Sequence, residues 1–164
     1  MMPSMSKSNR PIRALAAVLF FCAVGTCAAT SAWAEGAVSD LRKPSGIPIG
    51  MGAYRGEWPI FDAIVRQYNA SRERFRINSH CQSACTIFLS IRNVCITPSA
   101  QLLFHAGGDP RTGIKHEWST QHMLAAYKPA LRRYVVQNHY MDTFDFHTIS
   151  GSEMISRFGY PACP

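Results

Sequence analysis

The sequence predicts a small α/β domain with helices laid over a sheet. Strand-like runs alternate with helical stretches in the order β-α-β-α-β-β-α-α. Gly, Pro and Asp turn signals separate these segments. The chain beyond its N-terminal leader, residues 35–164, is long enough for one domain with a real core.

The leader has the three parts of a secretory signal. Lys7, Arg10 and Arg13 form a positive n-region, Ala14 to Ala29 is apolar and uncharged, and Ala32-Trp33-Ala34 supplies small residues at an A-x-A cleavage site. The apolar run is short for a membrane span, which needs about 20 residues. An uncleaved anchor is the alternative. Neither Cys22 nor Cys27 follows a good lipobox. Cleavage after Ala34 leaves 14 Lys+Arg against 10 Asp+Glu, a mild formal charge of +4. The mature protein is expected in the periplasm or secreted, without a membrane anchor. Arg66, Arg72, Arg74 and Arg76 cluster without interleaved aromatics, so they read as a solvated face and not as a nucleic-acid platform.

Residues 35–48, rich in Gly, Pro and Ser, read as a flexible lead-in to a domain spanning 49–164. Ile47 to Gly52 is an apolar segment ending in a glycine turn. Pro59 marks a helix start, and Ile60, Ile64 and Tyr68 recur at helical spacing to about Asn69. Phe75-Arg76-Ile77-Asn78 alternates as a strand does. Ser83 to Ile91 is small and apolar, as in a buried helix. Val94 to Thr97 and Gln101 to Phe104 are strand-like, joined by the turn Pro98-Ser99-Ala100. Ala106 to Gly113 is a loop. One long helix is expected from about Ser119 to Asn138, with Leu124, Tyr127, Leu131, Tyr134 and Val135 on one face. A last helix begins at Ser150, with Glu153 completing a capping box. Trp58 and Trp118 read as core anchors. His116, His122, His139 and His147 show no metal spacing.

Chemistry concentrates in His80-Cys81-Gln82-Ser83-Ala84-Cys85-Thr86 and at His105. Ser83 follows a strand and opens an apolar helix, where free backbone N–H groups favour developing negative charge. An acyl-transfer nucleophile needs that combination of a hydroxyl and an oxyanion site. The alternative is that Ser83 only caps the helix. His105 ends a strand and enters a Gly-rich loop, and an imidazole suits general-base work.

Arg76 to Ser79 through Phe104-His105-Ala106 resembles the core of the Clp protease proteolytic subunit, and more closely the Clp-like proteins of bacterial periplasms. That family carries its nucleophile on a small-residue turn of the S-A-C-T or A-S-M type at a helix start. Val94 to Ala100 is similar to its strand-turn-strand with Pro, and Leu103-Phe104-His105 to the strand that ends in the catalytic His. Gly50-Met51-Gly52 resembles the family's glycine turn, and Ile149 to Gly159 its closing L-S-x-x-E…G-L stretch. The resemblance covers about residues 45–160.

It implies a Clp/crotonase-like spiral of β-β-α units and a serine hydrolase acting on peptides or proteins without a cofactor. Ser83 would be the nucleophile and His105 the general base. The N–H of Ala84, with one from Gly50 or Gly52, would form the oxyanion hole. Asp145 would orient His105, with Asp142 as the fallback. Ring formation by Clp relatives makes a homo-oligomer conceivable. Two departures stand out: Cys81 and Cys85 flank the Ser where cytoplasmic relatives have small residues, and the domain is shorter than a full Clp subunit. A catalytically silent member of the same fold, serving as a binding or envelope module, is the competing expectation.

Four Cys remain after signal cleavage, and three pairings are open from sequence alone. On the fold that the resemblance implies, the C-terminal segment lies near the strand carrying Cys95, so Cys95–Cys163 and Cys81–Cys85 are expected. A third expectation is a zinc site from His80, Cys81, Cys85 and His105, which an oxidising compartment disfavours. The Gly50/Gly52 turn lacks the fingerprint of a dinucleotide fold.

Overall fold

A computed structural model describes residues 35–54 and 56–164. The expected signal peptide, 1–34, lies outside the described residues. The rest is a small mixed α/β domain of eight short strands and four α-helices, with three 3-10 helices between them.

The first sheet is parallel, in the order β1 (Gly36–Ala37), β2 (Phe75–Ile77), β4 (Val94–Ile96). The second runs β3 (His80–Gln82), β5 (Gln101–Phe104), β8 (His147–Ser150), with β3 and β5 parallel and β8 antiparallel to β5. A hairpin of β6 (Gly108–Asp109) and β7 (Ile114–Lys115) stands apart. The chain therefore visits the two sheets in alternation. β2 goes to the first sheet and β3 to the second, then a helical segment follows; β4 and β5 repeat the order.

Helix α1 (Trp58–Ser71) starts with Pro59, whose fixed φ and missing N–H suit a first turn. It ends at Arg72, which adopts the left-handed conformation (φ 63°) and donates its N–H to the Tyr68 carbonyl. Phe61 of α1 stacks on Phe88 with centroids 5.6 Å apart, and Phe75 of β2 meets Phe88 edge-on at 5.0 Å. These rings, with Ile77, Ile96, Leu102 and Leu131, form one continuous core. Each large side chain buried there contributes about 2–3 kcal/mol.

The sequence reading needs four corrections. Residues 35–48 are not a flexible lead-in: Gly36–Ala37 pair with β2, and Val38 and Lys43 are buried. The expected long helix is two helices, α2 (Glu117–Ala125) and α3 (Pro129–Gln137). Pro129 separates them, because its ring and missing N–H cannot continue a helix and it pushes Lys128 into an extended conformation. The apolar segment after Gln82 is a 3-10 helix, Ser83–Ser90, and not an α-helix. Trp118 is 61% exposed and stacks on His122 at 4.8 Å, so it is no core anchor. The expected cap does form: Ser150 Oγ accepts the Glu153 N–H at the start of α4 (Gly151–Ser156).

Both disulfides join the expected partners, Cys81 with Cys85 and Cys95 with Cys163. The second ties the C-terminal tail to β4, where Ile96 also exchanges backbone hydrogen bonds with Pro161 and Cys163. No helix among the described residues is long and apolar enough to cross a membrane.

Candidate functional site

Strands β3 and β5 run side by side in the same direction, with Gln82 opposite Leu103. Ser83 is the residue after β3, and His105 the residue after β5. Both therefore leave adjacent parallel strands at their C-terminal ends, the edge where open α/β sheets place their ligands.

Ser83 adopts φ 54°, one of three left-handed non-glycine residues in the described chain. For a β-carbon-bearing residue this costs roughly 1–2 kcal/mol, and such strain gathers where a side chain has to be held up at a sharp strand-to-helix turn. The helix gains no cap in return: its N-cap makes no side-chain hydrogen bond, and Ser83 Oγ has no partner among the described residues. Ser83 is thus not a simple N-cap. Its carbonyl accepts from Thr86 Oγ1 at 2.7 Å, and Thr86 bonds the buried Tyr127 hydroxyl at 2.6 Å. The Cys81–Cys85 bond closes a small ring around the turn.

The glycine turn lies against this elbow. A Cβ on Gly50 would collide with the His80 carbonyl, and one on Gly52 would come within 2.8 Å of Ser83 Cβ. Gly52 also has φ 75°, so glycine is needed there twice over. Gly50 and Ala84 each sit second in a 3-10 helix, among the N–H groups that lack an intrahelical partner. The Gly52 N–H, by contrast, donates to Ile49 O at 3.2 Å, so of the oxyanion donors expected it is the one already committed.

His105 is 7% exposed, and neither of its ring nitrogens has a hydrogen-bond partner among the described residues. Burial pushes its pKa below the ordinary imidazole value. Phe146 meets the ring edge-on at 4.7 Å, and Phe144 lies 6.3 Å away. A strap formed by the segment around Asp142–Phe146 thus covers the imidazole. It is tied down by the Ala106 N–H donating to Thr143 O and by Lys115 Nζ donating to Asp142 O.

The expected acids do not reach His105. Asp145 is exposed and its carboxylate accepts from Thr143 Oγ1, while Asp142 pairs with His139 Nδ1 at 2.7 Å. The structure brings Ser83, His105 and the glycine turn to one end of the second sheet, without a Ser83–His105 hydrogen bond and without an acid behind the imidazole. The zinc expectation fails on chemistry: Cys81 and Cys85 are oxidised to a disulfide, whereas zinc needs thiolates. Among the described residues no three His, Cys, Asp or Glu gather as a metal site.

Sequence reasoning missed Lys43. It is 2% exposed, and its Nζ donates to Gly52 O at 3.0 Å and to Glu57 Oε2 at 2.8 Å, over the Tyr54 ring. Burial works to raise the Glu57 pKa, but the hydrogen bonds from Lys43 and the Tyr54 N–H outweigh it and hold the carboxyl below its usual range. A lysine in a Pro- and Gly-rich stretch carries no periodic signal of burial. No protein-family model matches the chain, and searches of curated proteins and of solved structures give no match either.

Proposed function

We propose that this protein is an exported serine hydrolase with a Clp/crotonase-like spiral fold, in which Ser83 is the nucleophile and His105 the general base. The spiral reading is supported by two successive β-β-helix units that each send one strand to each sheet. The observation that carries the hydrolase reading is Ser83 itself: a strained left-handed serine with an uncommitted hydroxyl, stapled by a disulfide and opening a helix beside the strand that His105 follows. Two disulfides and a secretory leader favour an oxidising compartment outside the cytoplasm.

In the reaction, the Ser83 hydroxyl oxygen bonds to a carbonyl carbon while its proton passes to the His105 imidazole. The Ala84 N–H and an N–H of the glycine turn receive the oxyanion. The leaving group takes the proton from His105, and water later cleaves the ester. Peptides are the substrate class implied by the resemblance. The strap over His105 has to shift for the imidazole to meet Ser83.

The sealed imidazole and the missing acid favour a second reading, a catalytically silent fold that serves as a binding module. A fluorophosphonate probe separates the two. The hydrolase reading expects the oxidised mature protein to be labelled on Ser83, and labelling to be lost in Ser83→Ala and to fall by roughly 100-fold or more, on the order of a lost general base, in His105→Ala. A folded wild type that takes no probe would leave the binding module.

A further inference from the structure

We propose that the ion pair of the buried Lys43 with Glu57 is a positioning device for the nucleophile's surroundings: it grips the Gly52 carbonyl and so holds the glycine turn against Ser83. The inference rests on the serine-hydrolase reading above, and it assigns a role to two residues outside the Ser-His pair.

A charge without solvent is costly to keep. The Lys43 side chain is 0% exposed, and its ammonium has two hydrogen-bond acceptors, the Glu57 carboxylate and the Gly52 carbonyl. For stability alone an apolar pair of similar volume would serve as well or better. What an apolar pair cannot do is fix the direction of a carbonyl.

The neighbouring groups show why direction matters here. The Met51 carbonyl is held by Gln82 Nε2 at 2.9 Å, and the Gly52 N–H by Ile49 O at 3.2 Å. Lys43 takes the Gly52 carbonyl at 3.0 Å. Within a trans peptide the next N–H points opposite to that carbonyl, so Lys43 also orients the Ala53 N–H, which has no partner among the described residues. The Gly52 α-carbon meanwhile faces Ser83, where a Cβ would come within 2.8 Å of Ser83 Cβ. One buried ammonium therefore bears on both the turn's approach to the nucleophile and the direction of the Ala53 N–H, which like the Gly50 N–H has no partner among the described residues. The turn thus offers an oxyanion the N–H of Gly50 or of Ala53, while that of Gly52 is committed.

Glu57 completes the clamp. It accepts the Tyr54 N–H at 2.6 Å, which closes the chain just after the turn. It also neutralises Lys43, so the pair directs a dipole without leaving a net charge beside the site.

The test uses the mature, oxidised protein. Lys43→Met alone leaves the half-buried Glu57 carboxylate without its cation and can unfold the domain, so the informative variant is Lys43→Met/Glu57→Gln. It removes both charges, keeps the volumes, and leaves a side-chain amide oxygen at position 57 to accept the Tyr54 N–H. The first readout is the fluorophosphonate reaction, split into probe affinity and maximal rate constant. Positioning predicts a maximal rate roughly 10- to 100-fold lower, approaching the loss of one oxyanion donor, with probe affinity unchanged and Lys43→Arg recovering part of the rate.

The second readout needs no activity. In the double variant the Ala53 amide nitrogen resonance should shift, and Gly52 amide exchange should accelerate about 10-fold or more, while amides of β2 and β4 keep their protection. A folded double variant with unchanged Gly52 and Ala53 amides overturns the proposal, as does an unchanged maximal rate in a protein that is labelled. If wild type is never labelled, the hydrolase reading falls by itself and the amide measurement decides the role of Lys43.

Discussion

At the scale of the residue, Ser83 and His105 each sit in an environment with a measurable consequence. A left-handed serine is strained where a glycine is not. At an ordinary helical position Gly is less stable than Ala by roughly 0.5–1 kcal/mol; at φ 54° the order should reverse. Ser83→Gly is therefore expected to be more stable than Ser83→Ala by about 1 kcal/mol, read from urea unfolding with the disulfides intact. The ordinary order would mean that the elbow stores no strain. For His105, burial holds the folded pKa below the ordinary value of 6.5. The neutral imidazole, the form that accepts a proton, thus prevails at neutral pH. The sign for stability follows: between the depressed folded value and 6.5 the unfolded chain binds the extra proton, so stability rises with pH. That contribution is complete above 6.5 and is lost as pH falls through the folded value. Labelling should be flat through neutral pH and decline only in acid, with a midpoint below 6.5. A midpoint at or above 6.5 would show that His105 is solvated in the reacting state.

At the scale of the element, what could be read from sequence tracks how local its cause is. The start of α1 at Pro59, the Ser150–Glu153 cap and the β5 run Gln101–Phe104 follow from nearby residues, and each was legible. The helix expected over 119–138 was misread because the apolar period continues through Leu124, Tyr127 and Leu131 while Pro129 interrupts the backbone. Periodicity reports the buried face and is blind to a break that keeps that face in phase. Strands β1 and β3 are only two and three residues long. They exist because a neighbouring strand supplies their hydrogen bonds, and no run of that length shows a period. That Ser83 and His105 follow two neighbouring strands was legible, because it needs only two strand ends in parallel register. The acid was not legible: Asp142 and Asp145 lie in a loop whose path is set by Phe144 and Phe146 covering His105, and their carboxylates turn to His139 and Thr143 instead. Lys43 escaped for a similar reason. Its burial comes from contacts with Gly52, Tyr54 and Glu57, which lie far outside any local pattern around it.

At the scale of the whole molecule, the two disulfides divide their labour between stability and the site. Cys95–Cys163 spans 68 residues and fastens the tail beside β4, in the first sheet. Cys81–Cys85 spans four residues and encloses Ser83. In the chain-entropy model the long loop is worth about 4 kcal/mol and the short one about 2 kcal/mol. The order for reactivity should be the opposite, because the short loop holds the elbow while the long one fastens the tail to β4 of the other sheet. Cys95→Ala/Cys163→Ala is thus expected to lose the more stability in urea and, while still folded, to label on Ser83 close to the wild-type rate. Cys81→Ala/Cys85→Ala is expected to be the more stable of the two and the slower to label, because the strained backbone at Ser83 can relax once its ring is opened. If both measures ranked the two variants the same way, the short disulfide would be only another staple of the fold, and the case for Ser83 as a nucleophile held ready by its backbone would lose one of its supports.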